Sequence, residues 1–225
     1  MRPWLALERS LDALNRAAES RGLRTESGKP VRFVPPSRDD PYYEAGVYAS
    51  GRVSTRPDSL HDWFNALAWL AFPRTKARIN ALHADELRRS PAGNGTRGPL
   101  RDLLTIFDEG GAIVLCPNDT LLSLLHAFEW KGLFLDHRDE VKRQMQIVVL
   151  GHAVMEKALE PWPGVTCKAL VFAGGDVDAL AADWLAIQPR DASPKLLQPL
   201  PIFGFPGWSE GQDAAFYDDK RYFRP

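Results

Sequence analysis

Two cysteines in 225 residues, Cys116 and Cys167, leave nothing from which to build a zinc knuckle or a CxxC redox pair. Both lie in apolar runs and read as buried free thiols of a reducing compartment, with a disulfide between them left open. Long apolar runs are missing too. Nothing approaches the roughly 18 residues of a membrane-crossing helix. The apolar start of the chain is cut short by Glu8 and Arg9, so it does not read as a signal peptide. A cytoplasmic protein with no membrane partner is the expectation. Excess charge of one sign is also lacking. The formal net charge is −1, without the basic footprint of a nucleic-acid binder. No repeat of about 20–50 residues is visible. There is no GxGxxG, phosphate-binding loop, HExxH or GxSxG. Gly174-Gly175 is only a faint echo of a phosphate loop.

What remains is ordinary for a globular protein: 44% hydrophobic and 25% charged residues, with seven Trp and eleven Phe to fill a core. Eighteen Pro and seventeen Gly predict many breaks. No linker divides the chain, so residues 1–225 are expected to form one domain.

The stretch Ser59–His83 organises the rest. Ser59 followed by Asp62 has the spacing of a capping box, and the run from Leu60 to Phe72 is apolar nearly all round, as in a buried helix. His61 and Asn65 share one face of it at i, i+4. Pro73 fits the first position of a second helix, on which Lys76, Asn80 and His83 form a stripe. The default reading makes His61 a capping or core histidine and that stripe a solvated face. Residues 73–101 hold seven Lys or Arg against Asp85 and Glu86, a candidate anion-binding face or a plain solvated surface.

Elsewhere the periodicity predicts an amphipathic helix over 4–21, a short strand at Val31–Val34 and a short helix at Tyr42–Tyr48 in an ordered loop. Residues 90–98 read as a flexible loop. A β-hairpin is predicted for 103–116, turning at Asp108–Gly111. A helix follows over Thr120–Trp130, with His126 and Trp130 on one face. From Val141 to Leu159 a stripe in steps of three and four favours one helix, with a strand at Gln146–Leu150 as the competing reading. His152 and Glu156 then stand one turn apart. Val165–Phe172 alternates as a strand, and Asp176 caps a helix over Val177–Ile187. The tail is too aromatic to be disordered and is expected to wrap the body through Phe203, Phe205, Trp208, Phe216 and Tyr222. The fold class is thus α+β: a mainly helical body, a small antiparallel sheet and an extended C-terminal wrap.

HDWFNALAWLAFPRTKARIN, RGPLRDLLTIFDEGGA, GHAVMEKAL and LPIFGFPGW…AFYDDKRYFRP together resemble an uncharacterised, mainly proteobacterial family of domains of unknown function (DUF3025-like), over most of the chain from about residue 30. The resemblance carries no activity or cofactor.

Two functional classes stay open. One is an enzyme, a hydrolase of an anionic small molecule or phosphoester. His61 or His152 would be the base or a metal ligand, Asp62 or Glu156 the orienting carboxylate. Asn65, Lys76, Arg97 and Arg101 would hold the substrate, with Lys168 nearby. A divalent metal on His61, His152 and Glu156 is chemically sensible. The other class is a non-enzymatic binding or interaction module with scattered structural histidines. The enzyme reading requires both imidazoles in one concave site.

Overall fold

The computed structural model describes residues 7–37, 42–89 and 98–224. Its elements in order are α1 (Leu11–Ser20), β1 (Arg32–Val34), α2 (Tyr43–Ser50), β2 (Arg52–Ser54), α3 (Leu60–Ala71), α4 (Pro73–Arg89), α5 (Pro99–Gly110) and β3 (Gly111–Leu115). Then come α6 (Asp119–His126), α7 (Arg138–Gln144), β4 (Gln146–Val149), α8 (His152–Lys157), β5 (Thr166–Phe172), α9 (Val177–Ala186), β6 (Gln198–Pro201) and α10 (Ala214–Asp218).

The α+β class holds, with helices dominating. The larger sheet is mixed rather than antiparallel, in the order β4-β3-β5-β6. β3 runs parallel to β5 and antiparallel to β4, while β6 runs antiparallel to β5. A separate parallel pair joins β1 to β2. The predicted 103–116 hairpin is overturned. Its first half is helix, because Leu100, Leu103, Leu104 and Phe107 recur at helical spacing and all are buried. Gly110-Gly111 marks a helix-to-strand switch. A Cβ on Gly111 would lie 2.2 Å from the Phe107 carbonyl oxygen, so the close turn needs glycine.

The predicted helix through 141–159 is three elements. Ile147, Val148 and Val149 pair with Val114, Ile113 and Ala112, and their β-branched side chains suit the strand. Helix resumes only at His152. The helix expected to reach Trp130 stops at His126, and Phe128 adopts a left-handed φ of 59°. His126 then faces Gln198, whereas the Trp130 indole donates to the Arg224 carbonyl, so the two do not share a face. The N-terminal helix begins at Leu11 behind its Ser10 cap, and residues 4–6 of the expected span lie outside the described residues. Most of the loop expected at 90–98 also lies outside them.

The tail is less extended than expected. It adds β6 to the sheet and a short α10, and buries Phe203, Tyr217 and Phe223, while Trp208 is exposed. Both cysteines are buried and free. Among the described residues no helix is long and apolar enough to cross a membrane.

Three cores result. One joins α1, β1, β2 and the inner face of α3. A second packs α5, α9 and one face of the larger sheet. The third packs the other face under α6, α7 and the C-terminal segment. α3 packs on α8, and α5 packs on both α4 and α8. The candidate site forms where those helices meet.

Candidate active-site cleft

Ser59 caps α3, its hydroxyl accepting from the Asp62 amide at 3.1 Å. Asp62 does not complete the reciprocal box. Its carboxylate accepts from the Arg56 amide at 2.8 Å and from the Arg56 guanidinium at 2.8 and 2.9 Å. Partial burial opposes ionisation, yet these bonds and the Arg56 charge hold the Asp62 carboxyl below its usual range. The cap places His61 in the first turn, on the side of α3 that meets α8.

His152 opens α8 directly after Gly151. A Cβ on Gly151 would lie 2.5 Å from the Glu109 carbonyl oxygen, so only glycine lets α8 begin this close to the end of α5. The amides of Leu150 and Gly151 both donate to the Gly111 carbonyl. Asp108 and His152 are thereby brought together.

The side chains line up in series. Nε2 of His61 and Nε2 of His152 are 3.0 Å apart, with the rings edge-on at 74°. Nδ1 of His61 is 3.2 Å from Oε2 of Glu156, one turn along α8. Nδ1 of His152 faces Asp108, 3.8 Å from Oδ2 and beside the Asp108 carbonyl. Beyond it, Lys76 Nζ donates to Asp108 Oδ1 and, at 2.8 Å, to Asn65 Oδ1. Asn65 Nδ2 donates to the Tyr43 hydroxyl at 2.9 Å. The chain of contacts runs from water, at the half-exposed Glu156 and His61, to the buried Lys76.

Lys76, Asn80 and His83 are all buried, which reverses the expected solvated face. Asn80 Nδ2 donates to the Glu44 carbonyl at 2.9 Å and to its carboxylate at 2.7 Å. Electrostatics push the neighbouring acids apart. Burial raises the Glu44 carboxyl to about 7, opposed by the Asn80 hydrogen bond. Burial also acts on Asp108, but the Lys76 and His152 charges outweigh it and hold that carboxyl low. Burial pushes His152 down to about 4, helped by the Lys76 and His61 charges and resisted by Asp108. The two carboxyls of one cleft are thus pushed in opposite directions, Glu44 by burial and Asp108 by its ion pair with Lys76.

The cleft has a volume of about 400 Å³. His61, His152, Asp108, Asn65 and Glu44 line its interior, and Tyr42, Tyr43 and Arg101 also border it. The Arg101 guanidinium lies over the Tyr42 ring and donates to its hydroxyl at 2.8 Å. A second, more open hollow of about 500 Å³ by Trp208 and Phe205 carries Lys142 and Arg143 but no histidine or carboxylate.

A family model described as Protein of unknown function (DUF3025) matches residues 31–225. The chain belongs to that family. No curated protein and no solved structure matches it.

In this DUF3025 chain, His61, His152 and Glu156 converge as the enzyme reading requires. Asp62 lines the cleft but is committed to Arg56. Asn65 and Arg101 border it, whereas Lys76 lies behind it, neutralised by Asp108. Arg97 lies outside the described residues. Lys168 sits in β5 opposite Gly111 and Pro199, and His126 faces Gln198, so neither joins the site. The metal trio does not fit. Glu156 meets His61 at Nδ1, across the ring from the Nε2 that faces His152, so the three cannot ligate one ion in this arrangement. Among the described residues no three His, Cys, Asp or Glu side chains are placed to hold a metal.

Sequence reasoning read Asp108 as a hairpin-turn acid, with cation binding at the tip as its functional alternative, and missed Glu44. Asp108 was hidden by the hairpin reading. Read as helix, it falls one position after the buried Phe107, at the end of the apolar stripe of α5. Nothing local marks Glu44, whose partner Asn80 is 36 positions away.

Proposed function

We propose that the DUF3025 cleft is the active site of a hydrolase that acts on a small anionic substrate, a phosphoester being the class to test first. The carrying observation is the direct contact between two imidazoles, one with Glu156 bonded at its other nitrogen and the other with its Nδ1 3.8 Å from Asp108, on the wall of a concave polar site. The Glu156 carboxylate at the far nitrogen of His61 orients that ring, as an acid–base histidine needs. Among the described residues Arg101, held against Tyr42, borders the cleft without a carboxylate partner and would hold an anionic oxygen, whereas Arg56 is tied to Asp62.

Binding without chemistry has one observation in its favour: the two Nε2 atoms bond to each other, so ligand entry must first part the rings. The test is turnover of p-nitrophenyl phosphate, bis-p-nitrophenyl phosphate and p-nitrophenyl acetate by wild type, His61→Gln and His152→Gln. Removal of one positioned acid or base should lower turnover about 100-fold or more. Equal turnover by all three proteins, or none by the wild type, sinks the hydrolase reading for these substrates.

A further inference from the structure

We infer that Arg101 and Glu44 together form an oxyanion subsite of the cleft, in which Glu44 binds as the uncharged acid, so that an anionic ligand enters together with a proton. That the ligand is an anion rests on the hydrolase reading. The part played by Glu44 goes beyond it.

Arg101 stands in the first turn of α5 and Glu44 in the first turn of α2, and both line the same cleft. Nη2 of Arg101 donates to the Tyr42 hydroxyl at 2.8 Å, while Nε, on the same edge of the guanidinium, is buried with no hydrogen-bond partner. A buried donor without an acceptor costs free energy that an arriving oxygen recovers. Once the Tyr42 hydroxyl gives way, that edge offers two parallel N–H groups, the geometry that takes two oxygens of a phosphoryl group. Among the described residues Arg101 has no carboxylate partner and Glu44 no cationic one, since Glu44 Oε2 accepts from Asn80 Nδ2 instead.

An ionised Glu44 would oppose an anion held by Arg101, and the other charges do not relieve this. Lys76 is neutralised by Asp108 and Arg56 by Asp62. Glu109 also lines the cleft, but eight residues and roughly 12 Å along α5 from Arg101. From α4, His83 acts on Asp108, and Arg88 lies over the Tyr48 ring further along α2. Burial keeps the neighbouring Tyr43 hydroxyl neutral, and Arg52 of β2 is exposed. Protonation of Glu44 removes the conflict in two ways. It leaves the Arg101 charge uncompensated, and it turns a repelling acceptor into a donor.

Burial, reinforced by the Asp108 charge, already raises this carboxyl to about 7, against the restraint of Asn80, Lys76 and Arg101. An anion on Arg101 cancels part of that restraint and adds a negative charge. The carboxyl then rises further, and binding takes up a proton at neutral pH. Affinity is greatest below about 7 and falls by up to about tenfold for each pH unit above it, until the raised value in the complex is passed. The ligand group this selects is an oxyanion whose oxygens only accept, as in the phosphoryl dianion of an ester.

Inorganic sulfate is the probe, because its charge stays constant across this range. Isothermal titration calorimetry at constant ionic strength, in two buffers of different ionisation enthalpy, reads affinity and proton uptake together. The wild type should bind sulfate up to about tenfold less tightly at pH 8 than at pH 7, and take up a fraction of a proton that approaches one. Arg101→Gln should weaken sulfate about tenfold or more at pH 6. Glu44→Gln donates at every pH and leaves both histidines in place, so its affinity should be flat above pH 7, with no proton uptake. A flat wild-type profile, no sulfate binding at pH 6, full binding by Arg101→Gln, or an unchanged pH dependence in Glu44→Gln overturns the inference. Ester hydrolysis alongside a flat sulfate profile would remove the subsite and leave the hydrolase reading standing. The expected sulfate profile in a protein that hydrolyses none of the test esters would do the reverse.

Discussion

Glu44 and His152 answer pH in opposite senses. The folded chain holds the Glu44 proton up to about 7, against an ordinary 4.5, so the stability this group contributes is lost as pH rises through that window. The folded chain releases the His152 proton down to about 4, against an ordinary 6.5. Between those values the unfolded chain binds more protons at this residue, so stability is lost as pH falls. The two slopes oppose each other between about 4.5 and 6.5. The wild-type Tm should be nearly flat there. Glu44→Gln should leave the His152 slope exposed, with Tm dropping on acidification, and His152→Gln should show the reverse. A thermal-shift series across this pH range reads all three, and a Glu44→Gln profile as flat as wild type would refute the coupling. Lys76 allows a sharper test. Its removal leaves the Asp108 charge buried and unpaired, so Lys76→Met should cost about 3–5 kcal/mol in denaturant unfolding. The double variant Lys76→Met with Asp108→Leu should recover most of that loss. An unchanged stability in the single variant would show that Asp108 takes a proton instead of keeping its charge.

At the scale of elements, local chemistry made some parts legible and hid others. The start of α3 was readable because a cap is a short-range signal, Ser59 to Asp62. The stripe on α4 was visible as a stripe, but its environment was not. Lys76 and Asn80 look like surface residues until Asp108 and Glu44, which neutralise or bond them, are placed alongside. The segment 141–159 failed for a different reason. Steps of three and four persisted by chance across β4, and pairing with β3 overrode them. The first turn of α4 shows the same dependence on distant chain. Its amides at Arg74 and Thr75 donate to the Asp178 carboxylate at 3.0 and 2.8 Å, so the cap of α4 comes from α9. Asp178→Ala should therefore destabilise by about 1–2 kcal/mol, the cost of a lost cap. Gly151 is the element-scale position on which the site depends. Gly151→Ala must push α8 away from the Glu109 carbonyl. We expect a loss of about 1–3 kcal/mol and a weakened His61–His152 contact, read by unfolding and by the imidazole NMR spectrum. An unaltered spectrum would mean that the turn absorbs the methyl without moving His152.

Across the whole molecule, the site is a seam. His61 rides on α3, whose Ala66, Leu67, Trp69 and Leu70 belong to the core shared with α1, β1 and β2. His152 opens α8 beyond β4, and Leu150 just before it lies in the core of α5 and α9. Residues 91 positions apart thus meet because separately packed layers abut. That is why both histidines could be singled out from sequence while their contact could not. The seam also makes a prediction about what loosens it. Leu14 of α1 is fully buried in the first core, which includes the inner face of α3, and Phe223 is buried in the third, to which α8 contributes Val154 but α3 contributes no buried residue. Truncating either to alanine should cost roughly 2–5 kcal/mol through a transfer term and a cavity term. The consequences at the cleft should differ. Leu14→Ala removes support beneath α3 and should broaden or shift the His61 imidazole signals. Phe223→Ala should leave them unchanged at equal stability loss. If both variants disturb the imidazoles alike, the three cores act as one cooperative body and the seam has no independent freedom. If only Leu14→Ala does, small motions of α3 against α8 are what part the two rings and admit a ligand between them.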